Sequence, residues 1–212
     1  MRRAALAVLA LLPAVAHAVD TADLSPGTVE LAGAANLRLE TGTTRTTPSG
    51  GTETKTDRGS YVLDASGFYY LARSVGLGLT ISYDKESEKT EGTSTDTWAL
   101  VIGPAISLHF PVASELAIFG RGAVGGAWAR TWGGSGQPDV GGSGYGYLVE
   151  AGLKYFPLKQ LSLDAGVKYQ YLKLTTDEVT YDSGTTPVTI PKTDVVTSGL
   201  AFVVGLSVYF GR

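Results

Sequence analysis

The 212-residue chain predicts an all-β fold, an eight-stranded antiparallel up-and-down transmembrane β-barrel, and three observations carry that expectation. The first is strict alternation near the C-terminus. In Gly199–Phe210, the even positions Leu200, Phe202, Val204, Leu206, Val208 and Phe210 are all apolar, and most residues between them are small. A period of two belongs to a strand with two different faces. The second is the composition of the face opposite the apolar one, which is small as well as polar. The third is the order of the gaps between alternating segments, which runs long, short, long, short to the end.

The chain starts with Met1, Arg2 and Arg3, then an apolar run from Ala4 to Val15, then Ala16-His17-Ala18. A charged start, a short apolar run and an A-x-A site read as a secretion signal over residues 1–18, leaving a barrel domain over 19–212. The arginine pair is not followed by a twin-arginine pattern, so the general secretion route is expected. The apolar run is too short for a spanning helix, which needs about 20 residues. A mature chain in a membrane must therefore cross it as strands.

Eight alternating segments follow, at 28–40, 60–70, 75–84, 97–110, 116–129, 145–156, 161–173 and 194–210. In the first, Val29, Leu31, Leu37 and Leu39 oppose Glu30, Ala32, Ala34, Asn36 and Arg38. In the third, Val75, Leu77, Leu79 and Ile81 oppose Gly76, Gly78, Thr80 and Ser82. Strands facing water would favour larger polar groups over Gly and Ala. Small residues with a few charges suit the crowded interior of a narrow barrel, so the apolar face must meet lipid. Tyr61, Tyr69, Trp98, Trp128, Tyr147, Tyr155 and Phe210 fall near segment ends on that outer face, as interfacial aromatic girdles do.

The long gaps are 41–59, 85–96, 130–144 and 174–193, and the short ones are 71–74, 111–115 and 157–160. Short periplasmic turns and long outer loops are a property of membrane barrels. The long gaps are rich in Thr, Ser and Gly, and are expected to be loops that could meet an extracellular ligand. Without Arg2 and Arg3, the net charge of −3 becomes about −5. There is no basic stripe, which argues against nucleic acid, and no Cys for disulfides or thiolate metal sites.

The inward ionisable residues form the candidate site, a lumen charge network of Glu30, Arg38, Asp64, Asp84, Arg121, Glu150, Lys154, Asp164 and Lys168. A tight turn at 157–160 would set Lys154 opposite Asp164 and Glu150 opposite Lys168, two pairs of opposite sign. The same reasoning sets Tyr70 opposite Gly76 and Phe68 opposite Gly78, where large inward rings cover glycines. Across 111–115 it places Arg121 opposite Ala105. Buried charges should be paired, so a salt-bridged plug is expected, with a gated solute path as the alternative.

Catalysis has little to draw on. The mature chain's one histidine, His109, shares a side with Ser107 at the short-turn end, and no acid is placed to orient it. Asp177, Glu178 and Asp182 match no calcium-loop spacing. The Gly runs at 133–136 and 141–146 lack the strand-to-helix context of a phosphate loop. No catalytic residue, cofactor or metal is expected.

Ala16-His17-Ala18, GPAISLHFP at 103–111, SGFYYL at 66–71 and the closing strand with Gly205, Val208 and Phe210 resemble the small eight-stranded outer-membrane barrels of the OmpA transmembrane-domain and OmpX type. The resemblance covers residues 28–210. It implies the Gram-negative outer membrane, contact with its lipid and lipopolysaccharide, and a closing strand, at Gly205, Val208 and Phe210, read by the barrel-assembly machinery. The expected role is non-enzymatic, structural or adhesin-like, through long extracellular loops. A narrow passive channel for ions or small apolar solutes is the alternative, and a lipid-modifying enzyme is a third reading.

Overall fold

The computed structural model describes residues 24–36, 44–46, 54–90, 93–132, 138–182 and 187–211. The expected secretion signal lies outside them. The strands are β1 (Val29–Asn36), β2 (Thr44–Thr46), β3 (Thr54–Ala72), β4 (Val75–Thr90), β5 (Thr93–Ala113), β6 (Leu116–Trp132), β7 (Val140–Leu158), β8 (Leu161–Thr176), β9 (Val179–Asp182), β10 (Pro187–Ile190) and β11 (Asp194–Phe210). Eight of them form one antiparallel sheet in the order β1-β11-β8-β7-β6-β5-β4-β3, and a β1–β3 pairing closes it into a ring. Closure leaves no strand edge for lipid to meet. The short β2 adds to β3, and β9 with β10 makes a separate hairpin.

The alternation read from sequence sorts the faces as expected. Leu79, Leu200, Phe202 and Val204 stand outward, with Phe202 79% exposed, while Val62, Phe68, Val101 and Val203 are buried inside. An apolar belt around the whole circumference fits only a lipid environment. Aromatics of the outer face meet in cross-strand pairs, with Trp98 and Trp132 tilted together at 6.3 Å and Tyr61 and Tyr83 at the same separation.

The short turns keep two of the three expected registers. Tyr70 pairs with Gly76 and Phe68 with Gly78, and a Cβ on Gly76 would meet the Phe68 Cβ at 3.3 Å. Lys154 pairs with Asp164 and Glu150 with Lys168. The third is corrected: Arg121 stands opposite Ser107, and Ala105 stands opposite Ala123. The cause is the position of the turn: Ala113 pairs with Leu116, so the chain reverses at Ser114 and Glu115, nearer β6 than the centre of the 111–115 gap.

The long gaps are shorter than expected. The 85–96 segment continues the β4–β5 ladder up to Thr90 opposite Thr93. Its threonines and alternating charges suit a strand, and Ser87 donates to Asp96 across the ladder at 2.6 Å. β6 reaches Trp132 and β7 starts at Val140, while 174–193 contains the β9–β10 hairpin. At 21 residues, β5 is far longer than the 9–11 or so that cross a bilayer, so the sheet continues beyond the hydrocarbon at the long-loop end.

Candidate functional site in the barrel lumen

Position along β6 gives the order of the interior layers. Ala117 belongs to an apolar cluster at the short-turn end, with Leu24, Phe68, Tyr70, Phe156 and Tyr209. Ala127 belongs to a second cluster at the long-loop end, with Val101, Leu172 and Leu174. Arg121 lies between them. Leu24, just before β1, is fully buried and fills the short-turn end like a stopper.

Glu30 is the hub of the charged layer. It comes from β1, and its Oε1 accepts from Lys154 Nζ of β7 at 2.7 Å and from Arg121 Nη2 of β6 at 2.6 Å. Its Oε2 accepts from the Tyr70 hydroxyl at 2.6 Å. Asp164 Oδ2 takes a second set of donors: Lys154 at 2.8 Å, Arg121 at 3.2 Å and the Ser207 hydroxyl at 2.6 Å. Ser162 donates to Asp164 Oδ1 at 2.6 Å. Lys154 has no exposed side-chain surface. Arg121 also lies 4.7 Å from the Phe119 ring centre, a cation–π contact that favours a desolvated guanidinium.

Lys168 forms a second pair with Asp64 of β3, at 2.8 and 3.0 Å. This corrects the expected Glu150–Lys168 ion pair. The two are cross-strand neighbours, but Glu150 is met by Arg121 Nη1 at 3.7 Å. Lysine has a four-carbon stem, and in so narrow a ring it can reach across the lumen as easily as along the ladder. Asp84 is inward and nearer the long-loop end, where it lines a separate cavity. Arg38 lies outside the described residues. Gly205, Val208 and Phe210 sit on the β1–β11 seam, opposite Ala34, Leu31 and Val29.

Four polar partners escaped the sequence reading as site residues: Tyr70, Ser162, Ser207 and Tyr209. Ser207 and Tyr209 occupy the inward positions of the closing strand, and a large aromatic on the otherwise small face was the available signal. Tyr70 was legible as inward, but its contact with Glu30 spans 40 residues of chain. His109, expected at the rim, is buried and packs edge-on to Phe156 at 5.6 Å. Ser107 Oγ lies 3.3 Å from the Tyr70 hydroxyl.

The layer leaves little room. Beside it, a cavity lined by Asp64, Ser66, Thr80, Arg121, Glu150 and Lys168 has about 30 Å³ in which the centre of a water-sized sphere fits. At roughly 10–15 Å³ per water, that holds two or three molecules.

A closed ring of long antiparallel strands, apolar outside and salt-bridged inside, defines a transmembrane β-barrel of the small outer-membrane class. The chain belongs to the outer membrane protein beta-barrel domain family, whose model matches residues 4–210. Two solved structures resemble it in fold. One is Neisserial surface protein A, at 18% identity and a TM-score of 0.52, covering 87% of this chain and 97% of that one. The other is OprG from Pseudomonas aeruginosa, at 14% identity and a TM-score of 0.51, covering 89% and 98%. No curated protein matches the sequence. The barrel is a protein of the Gram-negative outer membrane.

Proposed function

We propose that this barrel is a sealed, non-enzymatic outer-membrane protein with a structural or surface-interaction role, exercised through its long-loop end. The observation that carries the reading is the Glu30–Arg121–Lys154–Asp164 layer, which crosses the lumen with apolar clusters on either side. Moving an ion through it would require breaking several buried, charge-assisted contacts at once, each costly to leave unpaired. The strand extensions beyond the membrane and the β9–β10 hairpin supply surface at one end. The Neisserial barrel with the same fold is by name a surface protein. The outer face suits contact with lipid and lipopolysaccharide, and the closing strand suits recognition by the assembly machinery.

Planar-bilayer recording of the purified, refolded chain tests the seal. Reconstituted barrels should give no sustained conductance. Steady, ion-selective currents from the unmutated protein would favour the passive-channel reading.

A further inference from the structure

Gly122 and Gly126 stand on the lipid-facing side of β6, where most positions of the barrel carry large apolar groups. The space at Gly126 is taken by its own strand: a Cβ there would meet the Trp128 ring at 2.7 Å. The space at Gly122 is open, and the nearest atom to such a Cβ is Ile106 Cγ2 at 3.7 Å. Strand register puts Gly122 in one row with Leu77 of β4, Ile106 of β5 and Val149 of β7. Those three side chains project around the missing one and leave an apolar groove of about 460 Å³, open along its outer side. Its volume is within the roughly 300–1,000 Å³ usual for sites that take small organic molecules. Val124 and Tyr147, a cross-strand pair, border it nearer the long-loop end.

The groove lies within the apolar belt, so what covers it is hydrocarbon. Polar groups begin at its upper edge. Tyr147 stacks on Tyr171 at 4.9 Å, and Tyr145 in the next row stands opposite Lys173. Tyr169 pairs with Val149 in the Gly122 row, and Lys173 is four residues further along β8. At about 3.3 Å per residue that is ~13 Å of strand, a span an extended acyl chain covers. Interfacial tyrosines and lysines mark the level of lipid head groups. Lys173 is met by Asp194 at 3.5 Å, and an exposed pair of that kind holds weakly, which leaves the ammonium open to a phosphate.

We propose that the Gly122 groove seats one acyl chain of a lipopolysaccharide molecule, whose phosphorylated head lies at the level of Tyr145 and Lys173. The inference rests on the contact with lipopolysaccharide proposed above and gives it a place on the wall. The choice of lipid follows from the side: the groove opens toward the long-loop end, and the leaflet there is built of lipopolysaccharide. A saturated chain laid over Gly122 makes close dispersion contacts with Leu77, Ile106 and Val149 that a smooth wall would not offer.

The test uses the full folded barrel in phosphatidylcholine nanodiscs, to which purified lipid A or phosphatidylglycerol is added in steps. Methyl NMR of Leu77, Ile106, Val124 and Val149 reports the groove, and Val204 and Leu206, on β11, report the wall elsewhere. Lipid A should shift the groove methyls saturably, with phosphatidylglycerol at least threefold weaker. Gly122→Leu, which fills the notch with a side chain suited to lipid, should weaken the response at least tenfold. If that variant does not fold, Gly122→Ala should weaken it at least threefold. Lys173→Gln should weaken lipid A at least threefold. Equal responses to the two lipids would overturn the assignment to lipopolysaccharide, and an unchanged response in Lys173→Gln would overturn the head position. Full retention of the response in a folded Gly122 variant would overturn the site. Shifts as large at Val204 and Leu206 as in the groove would also overturn the site, yet leave general lipopolysaccharide contact standing. No response at any outward methyl would remove both.

Discussion

Lys154 and Glu30 are 124 residues apart in sequence and meet at 2.7 Å with neither side chain exposed. Their strands, β7 and β1, are three places apart around the ring, so the contact spans the lumen and not a ladder rung. Removing one partner of such a pair leaves an uncompensated charge, at a cost of roughly 3–5 kcal/mol. Lys154→Met should fall toward the lower end, because Arg121 still holds Glu30. Urea unfolding in micelles would measure it, and adding Glu30→Gln should recover part of the loss. A single variant as stable as the parent would contradict the hub role of Glu30.

Lys168 offers a sharper choice between two carboxylates. The ladder places it beside Glu150, whereas its ammonium binds Asp64. Double-mutant cycles should give a coupling of about 1–3 kcal/mol for Lys168 with Asp64, and a smaller one for Lys168 with Glu150. The reverse order would mean that the ladder neighbour is the energetic partner.

Orientation in the membrane follows from loop length. Protease-sensitive tags inserted at Gly50 or Gly184 should be cut on intact cells. Tags at Ser74 or Lys159, in the short turns, should survive until the outer membrane is opened. Cleavage in the opposite pattern would invert the assignment.

Phe210 ends the closing strand on the outer face, opposite Val29 across the seam. Phe210→Asp puts a charge where an interfacial anchor stood, and should sharply reduce the amount of heat-modifiable folded barrel. Phe210→Trp should restore it. Normal yields of folded Phe210→Asp would remove this residue from the assembly signal.

At the β4–β5 extension, the Ser87 hydroxyl bonded to Asp96 holds that carboxyl below the usual aspartate range, with Lys85 helping. A lowered pKa in the folded state contributes stability above the unfolded value, and that contribution is lost as the pH falls through the folded one. Carboxyl NMR should place the Asp96 midpoint below that of an ordinary aspartate, and Ser87→Ala should raise it. An unmoved midpoint would show that the hydroxyl does not set it.

Much of this architecture was legible because period two is a local signal. The sorting of Phe202 from Val203, or of Leu163 from Asp164, needs only the sequence and a lipid exterior. Register across the 71–74 and 157–160 turns was legible because large residues met glycines and opposite charges met each other. It failed across 111–115, where Arg121 was set against Ala105, because nothing in the local pattern places the reversal at Ser114 and Glu115, and Ser107 is as small a neighbour for Arg121 as Ala105. The Lys168–Asp64 pair was illegible for a different reason. Alternation names the residues that enter a lumen, but side chains long enough to cross it choose partners by three-dimensional reach. Likewise, the 85–96 segment was read as loop from its polarity, although threonine and alternating charge are compatible with a ladder standing in water.

Glu30 arrives on β1, the strand whose pairing with both β11 and β3 turns an open sheet into a ring. Without that strand, Arg121 and Lys154 keep Asp164 but lack the second of the two carboxylates they share, and Tyr70 lacks its Glu30 acceptor. Closure of the wall therefore also completes the charge pairing inside it. A chain that closes with β1 slipped by one residue turns Glu30 toward lipid and leaves Arg121 and Lys154 with Asp164 as the one carboxylate they share. The charged layer thus favours the register in which Glu30 faces inward.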